Sequence, residues 1–372
     1  MIVPKQGWRQ IDWAILGSAL LICLGGVLAI KSARHLDASP LDLVRKQAVG
    51  VLLGLSAAAL LARSDYEVLL KRCARYLYPL NLILLLIVHF VGHASHGAAR
   101  WIPLGPVQVQ PSEFAKVILI GTLALFLVQH GETIGEWPTL LKSLAHIGVP
   151  MLLIAAQPDL GTSLVLLAVW LGMVSIAGAS PRHLLLLSLG GTLLFAAVWH
   201  FNPHHVLKDY QRNRLQVFLN PAADPRDSGY HLRQSEIAIG AGGMSGEGFE
   251  RGTQSGGRFI PEQHTDFIFT VVGEEGGFAA CVVLLLLYLL LLERGVAVMA
   301  DCDDPLGRLL AAGVLSMLTF HVVVNVGMTT GIMPVVGVPL PFFSYGLSSL
   351  LVNLVAVGLL LSVSARKHRV MF

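Results

Sequence analysis

Three clusters of polar residues stand where a mostly apolar chain has least reason to keep them. The first is Arg100-Trp101-Ile102-Pro103-Leu104-Gly105, followed by Gln110-Pro111-Ser112-Glu113-Phe114-Ala115-Lys116. Pro111 suits the first position of a helix, and Glu113 in its first turn complements the positive helix end. Lys116 opposes that dipole, yet at i+3 it shares a face with Glu113. Two readings are open: a local ion pair whose lysine snorkels, or an anion site made by Arg100 and Lys116 with Glu113 holding the lysine. The second cluster is Gln157-Pro158-Asp159-Leu160-Gly161-Thr162. Asp159 there is either a helix cap or a recessed carboxylate. The third, Pro261-Glu262-Gln263-His264-Thr265-Asp266-Phe267, ends on the last charge before a long apolar run. Asp266 is either an N-cap or a carboxylate at the border between water and a membrane cavity, where partial desolvation tunes it as a general base. Glu274 and Glu275 lie deeper in that run and must have partners, and Gly276-Gly277 beside them points to close packing.

Other motifs fail on their own chemistry. Gly240-Ala-Gly242-Gly243-Met-Ser245 is not GxGxxG and follows no βαβ pattern, so no dinucleotide is implied. Ser344-Tyr-Gly346 lacks the upstream glycine of a nucleophile elbow, since position 342 is Phe. His200, His204 and His205 read as an interfacial polar cluster before they read as metal ligands. His321 and Asn325, at i and i+4, are placed to bond across helices. The four cysteines have neither disulfide-scaffold nor zinc spacing.

The elements that must position these groups are set by composition. Of 372 residues, 54% are hydrophobic and 13% charged, half the charge of a soluble domain at about 25%. A mean hydropathy of +0.68 agrees with a bilayer as solvent. That composition excludes an ordinary globular enzyme, a disordered chain and a nucleic-acid binder, and a net charge of +3 is too mild to imply a polyanionic partner. Apolar runs near 13–31, 47–62, 76–92, 113–129, 143–156, 162–178, 183–201, 267–292, 307–327 and 347–364 predict ten helices, the fifth and sixth short. The fold class is an all-α polytopic membrane protein, one domain over residues 1–372. Thirteen Lys and Arg residues lie on the side shared by both termini and six on the short connections opposite, which places the termini in the cytoplasm.

Two connections break the pattern. Residues 203–266 hold fifteen charged residues and nine glycines, an extracytoplasmic loop of a length that tends to be functional. Gly331 to Gly346 is too apolar for an exposed loop and too rich in Pro and Gly for a straight helix. Such backbone survives at membrane depth only inside protein or along a wet cavity, so a re-entrant segment is expected.

Several long motifs resemble the SEDS family of bacterial membrane proteins, the RodA and FtsW family. They are Gly97-Ala-Ala-Arg100-Trp101-Ile102 with Gln110-Pro111-Ser112-Glu113, Gln157-Pro158-Asp159-Leu160-Gly161, Tyr210-Gln-Arg-Asn-Arg214, and Gly252-Thr-Gln254-Ser255 running on to Pro261-Glu-Gln-His-Thr-Asp266-Phe. Short termini favour the RodA branch over the FtsW branch, whose members often carry tails. One departure is Leu347 after Gly346, where the family usually has a second glycine. The resemblance implies an inner-membrane peptidoglycan glycosyltransferase that polymerises lipid II for cell elongation, shape or division. It further implies a class B penicillin-binding protein as crosslinking partner, undecaprenyl diphosphate as product and a divalent cation, Mg or Mn. It makes Asp266 the catalytic residue and sets Arg100, Trp101, Glu113, Lys116 and Asp159 around the substrate cavity at the extracytoplasmic face.

Residue chemistry is compatible with that implication. Transfer from an α-linked lipid diphosphate to a sugar hydroxyl, giving a β link, is one inversion and needs one base, which Asp266 can be. The leaving diphosphate needs positive charge, which Arg100 and Lys116 can supply. Rival readings are a lipid II flippase, which broken spans and buried charges also suit, and a non-catalytic scaffold for the crosslinking enzyme.

Overall fold

The computed structural model describes residues 11–36, 40–91, 93–95, 98–104, 107–201, 212, 214, 216–218, 228–257, 259–260 and 262–367. Each of the ten apolar runs falls on a helix: α1 (Trp13–Ala33), α2 (Pro40–Arg63), α3 (Tyr66–Val91), α4 (Pro111–Gln129), α5 (Trp137–Ala156), α6 (Leu160–Ile176), α7 (Pro181–Phe201), then, after α8 (Ser228–Gly242) and α9 (Thr253–Gly256), α10 (Ile268–Ala300), α11 (Pro305–Thr329) and α12 (Leu347–Ser364). Their starts follow local rules. Asp12 accepts from Ala14 N at 3.1 Å ahead of α1, and Asp304 accepts from Leu306 N and Gly307 N at 3.2 and 3.0 Å ahead of α11. Proline opens α2, α4, α7 and α11, where its missing N–H costs nothing.

Seven of these helices, α1, α2, α4, α5, α10, α11 and α12, are long and apolar enough to cross a membrane, while α6 and the apolar part of α7 are shorter. The fifth run is not short: α5 has 20 residues, because Trp137-Pro138 starts it ahead of the apolar stretch and Lys142 lies on an exposed side. Helices α4, α11 and α12 form the buried centre, and α7 carries its leucines outward. Small residues bring α2 against α12, where a Cβ on Gly358 would meet the Ala58 Cα at 2.6 Å.

Two features depart from an all-helical plan. A three-stranded antiparallel sheet, β1 (His93–Ser95), β2 (Ala98–Leu104) and β3 (Val107–Val109), joins α3 to α4, with Ile102 opposite Val109 and Pro103 opposite Gln108. Helix α10, 33 residues or about 50 Å long, breaks at Gly277, whose φ of 66° is left-handed. The break is stitched to the preceding loop. The carbonyls of Glu274 and Glu275 accept from Glu247 N and Gly248 N, both at 3.0 Å, and Phe278 N donates to Gly243 O at 2.8 Å. A Cβ on Gly277 would meet the Met244 carbonyl carbon at 2.8 Å, which is the close packing that the glycine pair announces.

Candidate active site

Asp266 sits in a turn, Glu262 to Phe267, where the amides of Thr265 and Asp266 both bond the Glu262 carbonyl, at 3.1 and 3.2 Å. It does not cap α10: Phe267 holds that position without a side-chain bond. Four separate parts of the chain hold the turn. Gln263 Nε2 donates to Ala33 O at the end of α1 (2.6 Å) and to Ser255 O in α9 (2.9 Å). Ser344 Oγ donates to Thr265 O at 2.6 Å and Tyr345 N to His264 O at 2.9 Å, both from the irregular segment after α11. Asn325, in α11, donates to the Asp266 carbonyl at 2.8 Å. Main chain and neighbours are thus fixed, and among the described residues the Asp266 carboxylate itself accepts no hydrogen bond.

That carboxylate is partly buried among charges of both signs. Burial raises its pKa, Arg214 and Arg100 lower it, and Glu262 and Asp159 raise it, leaving it pushed up to about 6. Arg100 comes from β2 and donates its Nε to Gln157 O at 3.2 Å, tying the sheet to the α5–α6 corner. Gln157 is itself held by its own Nε2 bond to Leu85 O at 2.7 Å. Trp101, next along β2, pairs with His93 of β1, and the register shifts there with Arg100 as the extra residue.

Asp159 is the N-cap of α6, accepting from Thr162 N (3.2 Å) and Thr162 Oγ1 (3.0 Å). It also accepts from Gln110 Nε2 (3.1 Å) and Ser112 Oγ (3.3 Å), which fastens the start of α4 to the start of α6. The cap and the recessed carboxylate are one and the same: a buried group whose lone pairs are largely committed, within electrostatic reach of Asp266.

Glu113 and Lys116 form a closed pair. Lys116 Nζ lies 2.8 Å from Glu113 Oε2, and the two side chains are 0% and 5% exposed, the lysine the lower. The lysine does not snorkel. It is enclosed by protein, and its second partner is His321 Nε2 at 3.2 Å, across from α11. His321 is therefore the acceptor, with Nδ1 carrying the proton and facing no partner among the described residues. Asn325, one turn further along α11, reaches Asp266. The cluster of Arg100, Asp159 and Asp266 is thus gathered, with Arg214 added, while Glu113 and Lys116 stand behind it as a sealed ion pair.

Glu274 and Glu275 have the partners that burial demands, and these are structural. Glu274 accepts from Gln254 N (2.6 Å), Ser255 N (2.9 Å) and Ser255 Oγ, capping α9. Glu275 accepts from Ser32 Oγ at 2.6 Å. Ser344 is no nucleophile: its Oγ bridges Leu340 N (2.8 Å) and Thr265 O. The segment 331–346 is irregular and largely buried at Val338, Leu340, Phe342, Phe343 and Ser344, as its composition requires. His204, His205, Tyr210 and Pro261 lie outside the described residues.

Arg214, Gly337, Asn325 and Ser344 also contribute to this site, although their types and spacing do not single them out for it. Arg214 ends the Tyr210 to Arg214 motif, which is its one signal in the sequence. Gly337 has φ of 72°, and a Cβ there would lie 3.1 Å from Asp266 Oδ2 and 3.7 Å from Arg214 Nη1. Gly161 packs beneath it, where a Cβ would meet Val336 O at 3.0 Å. Among the described residues no three His, Cys, Asp or Glu side chains gather, so they form no all-protein cage for the divalent cation that the resemblance implies; a Mg ion needs only one or two carboxylates besides substrate phosphates, and Asp266 could offer one.

The chain has counterparts in sequence and in fold. A family profile described as "Cell cycle protein", for FtsW, RodA and SpoVE, matches residues 11–369. Peptidoglycan glycosyltransferase MrdB of Escherichia coli K12 is 38% identical, over 98% of this chain and 96% of its own length. Peptidoglycan glycosyltransferase RodA of Treponema pallidum is 36% identical, over 97% and 99%. Among solved structures, a chain from work on structural coordination of polymerization and crosslinking by a peptidoglycan synthase complex superimposes with a TM-score of 0.83 at 36% identity, covering 96% of this chain and 99% of that one. Rod shape determining protein RodA of Thermus thermophilus gives 0.70 at 33% identity, covering 96% and 98%. With its profile matched nearly end to end, its apolar helices and its full-length relatives, the chain belongs to the FtsW, RodA and SpoVE family of multi-pass membrane proteins.

Proposed function

We propose that this chain is a peptidoglycan glycosyltransferase that polymerises lipid II into glycan strands for cell elongation and cell shape. The names of the relatives support the activity. The observation that carries the mechanism is Asp266, a carboxylate that accepts no hydrogen bond among the described residues, on a turn braced from four sides and beside two arginines. In this reading the acceptor hydroxyl gives its proton to Asp266 as its oxygen bonds to the anomeric carbon of the donor. The bond from that carbon to the diphosphate oxygen breaks, the electron pair leaves with undecaprenyl diphosphate, and the configuration inverts. Arg100 offers its terminal nitrogens to the charge growing on the leaving group, since its Nε is already spent on Gln157. Lys116, with Glu113, keeps the wall behind this site in place. No step calls on a divalent cation.

The same reading has ten crossings, both termini in the cytoplasm of the bacterial inner membrane, and the Asp266 end at the extracytoplasmic face. The lipid tails then stay in the bilayer while the sugars reach the carboxylate. The partner is a class B penicillin-binding protein, consistent with the superposition on a chain from a peptidoglycan synthase complex. A lipid II flippase is the rival, and polymer formation separates the two. Purified protein with its partner, given lipid II in detergent where no sided membrane exists, yields glycan polymer if the proposal holds. A carrier yields none.

A further inference from the structure

The protein has two candidates for the cation that meets the diphosphate besides Arg100, and they are built differently. Lys116 has no accessible surface, and its ammonium group is engaged by Glu113 at 2.8 Å and His321 at 3.2 Å. An incoming anion would have to displace a buried ion pair to reach it, which is costly. Arg214 is partly exposed and converges on the carboxylate instead. Both head groups border one point in space, the place a side chain on residue 337 would fill: Asp266 Oδ2 lies 3.1 Å from it, and Arg214 Nη1 and Nη2 lie 3.7 and 4.0 Å from it. The residue there is glycine, held at φ of 72° between Val336 and Val338. Val338 O is tied to Asn325 at 2.7 Å, which holds the backbone beside this glycine.

The geometry points to Arg214 as the residue that binds the diphosphate of the lipid-linked donor, beside Asp266, where glycine at position 337 lets both head groups lie close against the main chain. The inference rests on the glycosyl-transfer reading above and assigns the leaving group to a residue of the long loop. A planar guanidinium suits two phosphate oxygens at once, and with Arg100 entering from β2 a multiply charged group is met from two sides.

The test titrates undecaprenyl diphosphate into the full-length protein in detergent and measures its dissociation constant, with undecaprenyl monophosphate as comparison. Arg214→Gln is expected to weaken diphosphate binding by about tenfold to a hundredfold and to erase the preference for diphosphate over monophosphate. Arg214→Lys recovers part of the affinity. Gly337→Ala, whose methyl would press on Asp266 Oδ2 at 3.1 Å and Arg214 Nη1 at 3.7 Å, weakens binding with both arginines present. Asp266→Asn binds the diphosphate at least as tightly as the unsubstituted protein while forming no polymer. If Arg214→Gln binds undecaprenyl diphosphate as the unsubstituted protein does, Arg214 only pairs with Asp266 and the inference is overturned. Polymer formed by Asp266→Asn would instead overturn the catalytic reading, so the two failures are told apart.

Discussion

Asn325 in α11 donates one amide hydrogen to the main-chain carbonyl of Asp266 at 2.8 Å and the other to Val338 O at 2.7 Å. A single buried side chain thereby fixes the distance between the turn that carries the carboxylate and the segment that carries Gly337. Replacing it with Leu leaves the buried Val338 carbonyl unpaired, a loss of about 1–3 kcal/mol, and releases the part-buried Asp266 carbonyl. Asn325→Leu is expected to lower the polymerisation rate by about 10- to 100-fold with a smaller change in the lipid II concentration giving half-maximal rate. Steady-state kinetics on the purified complex check this.

The rate has a defined acid limb. Asp266 works as a base only when ionised, and burial among Glu262, Asp159, Arg214 and Arg100 leaves its pKa at about 6. Activity therefore falls as pH drops below about 6. Arg214→Gln removes a positive neighbour and moves that limb upward, visible in the residual activity. The same shift fixes a sign for stability. The folded pKa lies above the ordinary 3.8, so the stability this group contributes is present at low pH and is lost as pH rises through about 6. Asp266→Asn is expected to melt higher than the unsubstituted protein at pH 7.5, and to lose that advantage at pH 4.

The Glu113–Lys116 pair is sealed, at 5% and 0% exposure, so neutralising one member strands the other charge. Glu113→Gln or Lys116→Met alone is expected to destabilise the protein by about 3–5 kcal/mol. Together they are expected to recover much of that loss, because no bare charge remains. Melting temperatures of the three variants in one detergent give the coupling. Equal losses that simply add would show the pair to be uncoupled.

Gly277 breaks α10 at a positive φ with the 243–248 loop packed into the break, where a Cβ would meet Met244 at 2.8 Å. Gly277→Ala is expected to cost about 1–3 kcal/mol. Gly190 in α7 has open space around it, and Gly190→Ala is expected to stabilise by about 0.4–1 kcal/mol. The contrast in thermal melting tests whether the break is required or incidental.

The helices are legible in the sequence because lipid demands long apolar runs, and Asp159, Pro111 and Asp304-Pro305 mark helix starts with strictly local chemistry. The irregular segment after α11 is legible on the same grounds, since an apolar stretch studded with Pro and Gly can neither run as a straight helix nor lie bare in lipid. What escapes are features set by distant partners. The strand pairing that carries Arg100 is too short to show a period, and the break in α10 depends on a loop some thirty residues upstream at Gly243 to Gly248. Lys116 looks like a group that reaches for water because its partner His321 is far away in sequence. Arg214 and Gly337 meet Asp266 only in three dimensions.

The most direct measurement is polymerisation of lipid II by the purified full-length protein with its penicillin-binding partner, comparing the native chain with Asp266→Asn once the variant is shown to melt no lower. The asparagine keeps the turn and every main-chain bond but cannot take a proton, so no glycan polymer is expected from it. Polymer made at the native rate would contradict the assignment of Asp266 as the base.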